Sequence, residues 1–436
     1  VLPPGNQTQS LLIEKNGVVL RGEGNASTRI FNDAPSMTSK SVVRVRNAGA
    51  AMNWYQATGP LLTADAQIGD TVLSVNSTSG VTVGSLMCVR GNLTAAFVNE
   101  IGNVYGNGTA YEGWRDPGGN YGNRMMAFSR RIVDKTATTL TIDVPIRYPV
   151  KVRDGGRVVF MYQTPVKEVG IEHLAIGMRE VTGADFSDTS YKIAGTGGNK
   201  THYSHAIAIA GAEHCWVRNV SSYKPPQNQT AHLLSNGIRV DNSRFITIEN
   251  CDLRHSQYKG DGGNGYLYAL SGQETLVKDC YAEGGRHNLS FGLMQCSGNV
   301  IHRLTSKSSR NGCDFHQFLS PANLVDACTF DDDRLDAFSR VFPGTNPQPG
   351  QTTTESVIWN AMGINKYTSF NNSDSFRGAA IIYSKQQGNG YVIGTRGPYS
   401  AVYSLDHTEG VGQGDRLVPE ALYPDQLAKR KQRLGL

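Results

Sequence analysis

Four stretches, CWVRNV (215–220), ITIENC (246–251), TLVKDC (275–280) and NLVDAC (323–328), share one shape, and NVIHRL (299–304) joins them as a fifth. Each is a short segment of alternating apolar residues, and in most of them a polar residue stands just before the last apolar position. Those last positions are Val220, Cys251, Cys280, Leu304 and Cys328, separated by steps of 31, 29, 24 and 24 residues. Ten residues before Val217, Ile248, Val277, Ile301 and Val325 runs a second row: Ile207, Ile238, Leu267, Phe291 and Phe315. A strand period that recurs about every 24 residues without helical spacing predicts a stacked β-solenoid. One coil alone cannot bury its apolar row, so like residues pile up in the interior. Cys251, Cys280 and Cys328 fall on that row and read as core rungs rather than metal ligands or disulfide partners.

Outside the repeat the chain changes character. Residues 1–55 read as an N-terminal cap and first coil, and residues 56–168 break the period. Within 56–168, TADAQIGDTVLSVNSTSGVTVGSLMCVRG and RRIVDKTATTLTIDVPIRYPV suggest antiparallel strands joined by turns, with the Gly/Tyr/Asn-rich NVYGNGTAYEGWRDPGGNYGNRM as a long loop between them. We therefore expect an inserted β-domain or flap there, the main solenoid over 169–400, and a tail at 401–436. Leu422, Leu427 and Leu434 have helical spacing in that tail, as expected of a capping helix that shields strand edges.

The bulk numbers narrow the function classes. A net charge of +5 on 436 residues is too small to argue for nucleic acid and is compatible with an acidic polysaccharide. No apolar run approaches the roughly 20 residues that span a bilayer, so no membrane is expected. The 7 cysteines include no C-x-x-C pair, which argues against a zinc ribbon or a thioredoxin-type site. Asn-x-Ser/Thr occurs at Asn6, Asn25, Asn76, Asn92, Asn107, Asn199, Asn219, Asn228, Asn288 and Asn371, where chance gives about four. That excess suggests a secreted, glycosylated protein, and the opening VLPPGNQTQS lacks the pattern of a signal peptide.

Strand alternation sets which side chains face out. With Ile238, Leu267, Phe291 and Phe315 inward, Arg239, Tyr266, Tyr268, Ser290, Asp314 and His316 line one outer strip. The connecting loops add His255, Lys259 and Asp261, then Arg286, His287 and Asn288, then Lys307 and Arg310, then the run Asp331–Asp333 with Arg334. Such a strip is richer in titratable groups than binding alone requires, which favours catalysis.

On the V-x-N-C type strands and the opening NGVVLRGEGNASTRIF (16–31), the chain resembles the right-handed parallel β-helix proteins of the pectate-lyase-like superfamily. Members of that superfamily are mostly polysaccharide lyases, glycoside hydrolases and phage tailspikes, so the resemblance implies an enzyme acting on a polysaccharide. A lyase on a uronate polymer removes the C5 proton and expels the C4 oxygen, which takes a base, a proton donor and a group that stabilises the enolate-like carboxylate. His287 or His316 suits the base, Tyr266 or Tyr268 the acid or base partner, and Arg239, Arg286 or Arg310 the carboxylate. Asn288, His255, Lys259 and Arg334 are candidates for holding substrate, although a glycan on Asn288 would block the groove. A hydrolase would instead pair Asp314 with Asp261 or with one of Asp331, Asp332 and Asp333. A non-catalytic carbohydrate-binding solenoid is the third reading. No cofactor is required, Ca²⁺ is the one metal the aspartate run suggests, and the oligomeric state stays open.

Overall fold

The computed structural model describes residues 11–48, 58–102, 125–161, 164–183, 185–341, 350–368 and 380–436. Asn6, Asn107, Asn371 and most of the expected Gly/Tyr/Asn-rich loop lie outside the described residues.

Parallel strands stack coil upon coil into two long sheets. The first, called here the site sheet, runs Leu11–Ile13, Ser41–Arg46, His205–Ala210, Asn236–Arg244, Tyr266–Gln273, His287–Gly292, Cys313–Gln317, Leu335–Phe338, Ile382–Lys385 and Val402–Ser404. The second, the flank sheet, carries the segments whose repeat organises the sequence. Val217, Ile248, Val277, Ile301, Val325 and Ile358 face one another in direct register, and all are buried. The molecule is a parallel β-helix, and the expected rungs are its core.

The residue before each last apolar position has a physical role. Asn219, Asn250, Asp279, Arg303, Ala327 and Asn360 form a column with φ between +48° and +54°. The chain turns a corner there, in the left-handed region that Asn and Asp tolerate better than other non-glycine residues. The next residue then points inward again. In the Cys251, Cys280 and Cys328 rungs the thiols face backbone carbonyls, and all seven cysteines are free and buried. Phe291 and Phe315 stack with centroids 4.3 Å apart and planes 7° from parallel, burial that contributes roughly 1.5–3 kcal/mol per ring.

The site sheet departs from the expected second row at one coil. Ile238 lies opposite Tyr268 rather than Leu267, and Phe291 opposite Leu270. Leu267 and Tyr268 are both fully buried in the core, so two successive side chains turn inward. One coil further, Asn288 and Leu289 do the same. Strict alternation fails at the start of these strands.

The segment between first coil and main stack forms a five-stranded antiparallel sheet from Val72–Ser74, Leu86–Arg90, Ala127–Lys135, Thr139–Ile142 and Arg157–Phe160. Its core extends onto the solenoid through Met294, Phe318 and Leu319. Ion pairs fasten it: Arg131 holds Glu213 at 2.5 Å, Arg244 holds Asp143 at 2.5 Å, and Arg147 holds Glu274 at 2.7 Å. The chain closes with the helix Leu422–Leu434 along the flank sheet, its first two N–H groups donating to Asp326 at 2.8 and 3.0 Å. No helix among the described residues is long and apolar enough to cross a membrane.

Candidate active site

Three neighbouring strands of the site sheet, Tyr266–Gln273, His287–Gly292 and Cys313–Gln317, build the floor of a cleft of about 450 Å³. Arg239, Asp261, Tyr266, Arg286, Ser290 and His316 line it, and Gln317 and Leu293 close the wall next to the inserted sheet. Parallel register puts Ser290 opposite Asp314 and Tyr266 opposite His287, so residues far apart in sequence share a few ångströms.

At the centre is a chain of hydrogen bonds. His316 Nδ1 lies 2.7 Å from Asp314 Oδ2, two residues earlier on the same strand face. The carboxylate can only accept, so Nδ1 carries a proton, and in the neutral ring Nε2 is the nitrogen with the lone pair. That Nε2 is 3.4 Å from the Tyr266 hydroxyl. His287 Nδ1 donates to the Gly312 carbonyl at 2.7 Å and lies 3.6 Å from Asp314 Oδ1. The Tyr266, His287 and His316 rings meet edge to face, with centroids 4.9 to 5.6 Å apart. Arg340 reaches in from beyond Leu335–Phe338, 3.5 Å from Asp314 Oδ2.

Burial tunes these groups in opposite directions. It would raise the Asp314 carboxyl, but His287, His316 and Arg340 outweigh it and hold the group well below the usual carboxylate range. Burial pushes His287 down to about 3 against the pull of Asp314, so this imidazole is neutral. Burial and then the Asp314 charge push the Tyr266 phenol above its ordinary value, which keeps its proton in place. His316 keeps 30% of its side chain exposed, toward the cleft, whereas His287 keeps 5%. His316 can therefore meet a substrate, and His287 supports from behind.

Two guanidinium groups flank this centre. Arg286 pairs with Asp261 at 2.7 Å, and Arg239 pairs with Asp241 at 2.5 Å while lying over the Tyr203 ring. His287, Asp314 and His316 also each offer a ligand atom within 4.8 Å of the others. Arg340 lies against the same Asp314 carboxylate, 3.5 Å from its Oδ2.

The structure separates the remaining predicted residues from the cleft. Tyr268 is inside the solenoid, its hydroxyl donating to the carbonyls of Cys251 and Tyr281 at 3.0 and 3.1 Å. Asn288 is also inside: its amide nitrogen donates to Ser306 Oγ at 3.0 Å and Asp333 Oδ2 at 3.1 Å, and its oxygen accepts from Gly285 N–H at 2.9 Å. It can hold neither a substrate nor a glycan. Arg334 is buried beneath the Tyr367 ring. Arg310 is tied to Asp188, 2.5 Å away, and its Nη1 also donates to the Lys259 carbonyl. His255 packs edge-on against His232 at another corner of the coil. The aspartate run splits: Asp331 accepts from Asn365, Asp332 from Thr368, and Asp333 turns inward to Ser306 and Ser309. Those three carboxylates turn to separate partners, and none of them lines the cleft. Arg340 had no signal in the sequence beyond its charge, because its approach depends on the path of the chain after Phe338.

No protein-family model matches the chain, and no curated protein does. Among solved structures, the chain is similar to the tailspike gp61 of Pseudomonas phage phi297, with 10% identity and a TM-score of 0.40, covering 92% of this chain and 65% of that one. It is similar to the tailspike protein gp49 of Pseudomonas phage LKA1, with 11% identity and a TM-score of 0.35, covering 91% and 66%. An alginate lyase from a Paenibacillus species matches with 11% identity and a TM-score of 0.30, covering 57% of this chain and 85% of that one. The chain thus spans just under two thirds of the length of the two tailspikes it matches.

Proposed function

We propose that the protein is a secreted, pectate-lyase-like enzyme that cleaves a uronate-containing polysaccharide by β-elimination in this cleft. The observation that carries the reading is the Tyr266–His316–Asp314 chain facing a cleft walled by Arg239 and Arg286. His316 Nε2, fixed as an acceptor by Asp314, removes the C5 proton of the uronate. Tyr266, whose proton is retained by burial, donates it to the departing C4 oxygen. Their 3.4 Å separation suits proton removal and donation on one face of the sugar ring. Arg239 and Arg286 bind the uronate carboxylate and stabilise the charge that spreads onto it as the C5–H bond breaks. The C4–O bond breaks as the C4–C5 double bond forms, and no water is consumed. These side chains supply base, acid and charge, so the reading calls for no metal.

A glycoside hydrolase would need a second carboxyl facing Asp314 across the substrate. Asp314 is 1% exposed and engaged by His316 and Arg340, and Asp261, the only carboxylate lining the cleft among the described residues, is held by Arg286. The exposed triplets at Asn25, Asn76 and Asn92 support passage through a glycosylating secretory route.

The test is incubation with a panel of uronate polymers, with and without chelator, following the ultraviolet absorbance of the new double bond. A rise insensitive to chelator is expected. New reducing ends without that absorbance would replace the lyase by a hydrolase. Loss of the rise with chelator would bring in a cation.

A further inference from the structure

A second and larger cleft, of about 570 Å³, lies on the flank sheet, between it and the helix Leu422–Leu434. Its floor is apolar, formed by the outward residues Leu276 and Val300 of adjacent coils with the Phe245 ring beside them. The helix is anchored at its start, by Asp326 on the N–H groups of Leu422 and Tyr423. Further along it stands off: Leu427, which faces the cleft, is 37% exposed, and the helix buries no residue. The gap continues into an adjoining depression of about 390 Å³ that shares Phe245, Glu274 and Leu276.

The charge in this groove is unbalanced. Glu274, its acidic residue, is taken up by Arg147 at 2.7 Å and Arg130 at 3.6 Å. Lys429 pairs with Asp425 within the helix. Arg430 and Arg433 line the cleft and have no acidic partner among the described residues. An apolar strip edged by guanidinium groups without an acidic partner matches an acidic glycan. Sugar rings would lie on Leu276 and Val300, and carboxylates would meet Arg430 and Arg433.

We propose that this groove is a second, non-catalytic binding site for an acidic polysaccharide, on a different sheet from the cleft of Tyr266. The polymer class rests on the function proposed above; the groove and its charge do not. Such a site holds the enzyme on a long chain while the catalytic cleft samples it, raising the effective concentration of cleavable bonds.

The test is affinity electrophoresis in gels containing polygalacturonate, alginate or neutral dextran. It compares the wild-type protein, the Arg430→Glu/Arg433→Glu variant and Tyr266→Phe. Wild type and Tyr266→Phe should be retarded alike by an acidic polymer and not by dextran. The double variant should bind roughly tenfold more weakly. Both exchanged residues are exposed on the helix, so thermal melting should match wild type. Equal retardation of the double variant, or no retardation of wild type by any acidic polymer, overturns the proposal. So does loss of retardation in Tyr266→Phe, which would place all binding in the catalytic cleft. A wild type that sediments as an oligomer and a double variant that sediments as a monomer would give the groove to a second copy of the chain and also overturn it. Failure of the lyase reading is seen separately, as absence of unsaturated product while the retardation pattern persists.

Discussion

Tyr266 and Tyr268 stand two residues apart on one strand and occupy opposite worlds. The Tyr266 hydroxyl faces His316 Nε2 across 3.4 Å at the cleft, whereas the Tyr268 hydroxyl is spent on two carbonyls inside the solenoid. Removing each hydroxyl therefore has separable effects. Tyr266→Phe should lower turnover on a uronate polymer by roughly 10²–10⁴-fold and leave the melting temperature near wild type. Tyr268→Phe should keep turnover and lose about 1 kcal/mol or somewhat more of stability, read by denaturant titration. A Tyr266→Phe enzyme of normal rate would remove Tyr266 from the reaction.

Asp314→Asn tests the orientation of His316. An amide can donate to Nδ1, which moves the imidazole proton to Nε2 and takes away the lone pair that the base needs. Turnover should fall by roughly 10²–10⁴-fold with little change in KM. A merely structural Asp314 would lower stability and leave the rate per folded molecule intact.

Stability should fall with acidity. Burial holds His287 near 3, His232 near 4 and His205 well below the ordinary histidine value. Unfolding raises each back to about 6.5. The unfolded chain thus binds more protons below that pH, and each histidine removes up to about 1.4 kcal/mol per pH unit as the pH drops. Asp333 works in the other direction, because burial raises it to about 6 and its folded form takes up a proton first. Between pH 6 and 4 roughly two proton equivalents remain in favour of unfolding. The melting temperature should decline steadily across that window, and less steeply in His287→Gln. A melting temperature flat from pH 7 to 4 would contradict the burial of these rings.

Glycan mapping separates surface triplets from interior ones. In a glycosylating host, Asn25, Asn76 and Asn92 are the expected acceptors, since all three are exposed. Asn288 and Asn228 should stay unmodified, because both are buried and their amides donate to interior partners. Peptide mass spectrometry reads the answer directly. Asn288→Ala should instead cost about 1–3 kcal/mol, by stripping partners from Asp333 and Gly285.

The repeat made the architecture legible because a solenoid repeats its burial pattern in sequence. Val217, Ile248, Val277, Ile301 and Val325 share one pattern in the sequence, and they stack in that order. The pairing of Asp314 with His316 was equally legible, as two positions on one face of one strand. Local geometry was not legible: Leu267 with Tyr268, and Asn288 with Leu289, place two side chains inward in succession, and a period of two cannot express that. Arg340 was hidden for another reason. Its contact with Asp314 depends on where a loop carries the chain, which no periodicity encodes.

The buried thiols turn the solenoid into its own reporter. Cys215, Cys251, Cys280 and Cys328 sit on successive or nearby coils, and burial pushes the Cys328 thiol up to about 12. Each stays silent toward a thiol reagent until its own coil opens. Because a stacked fold couples each unit mainly to its neighbours, the order in which the four are labelled would trace fraying along the axis. Simultaneous labelling would mean that the stack opens as one body.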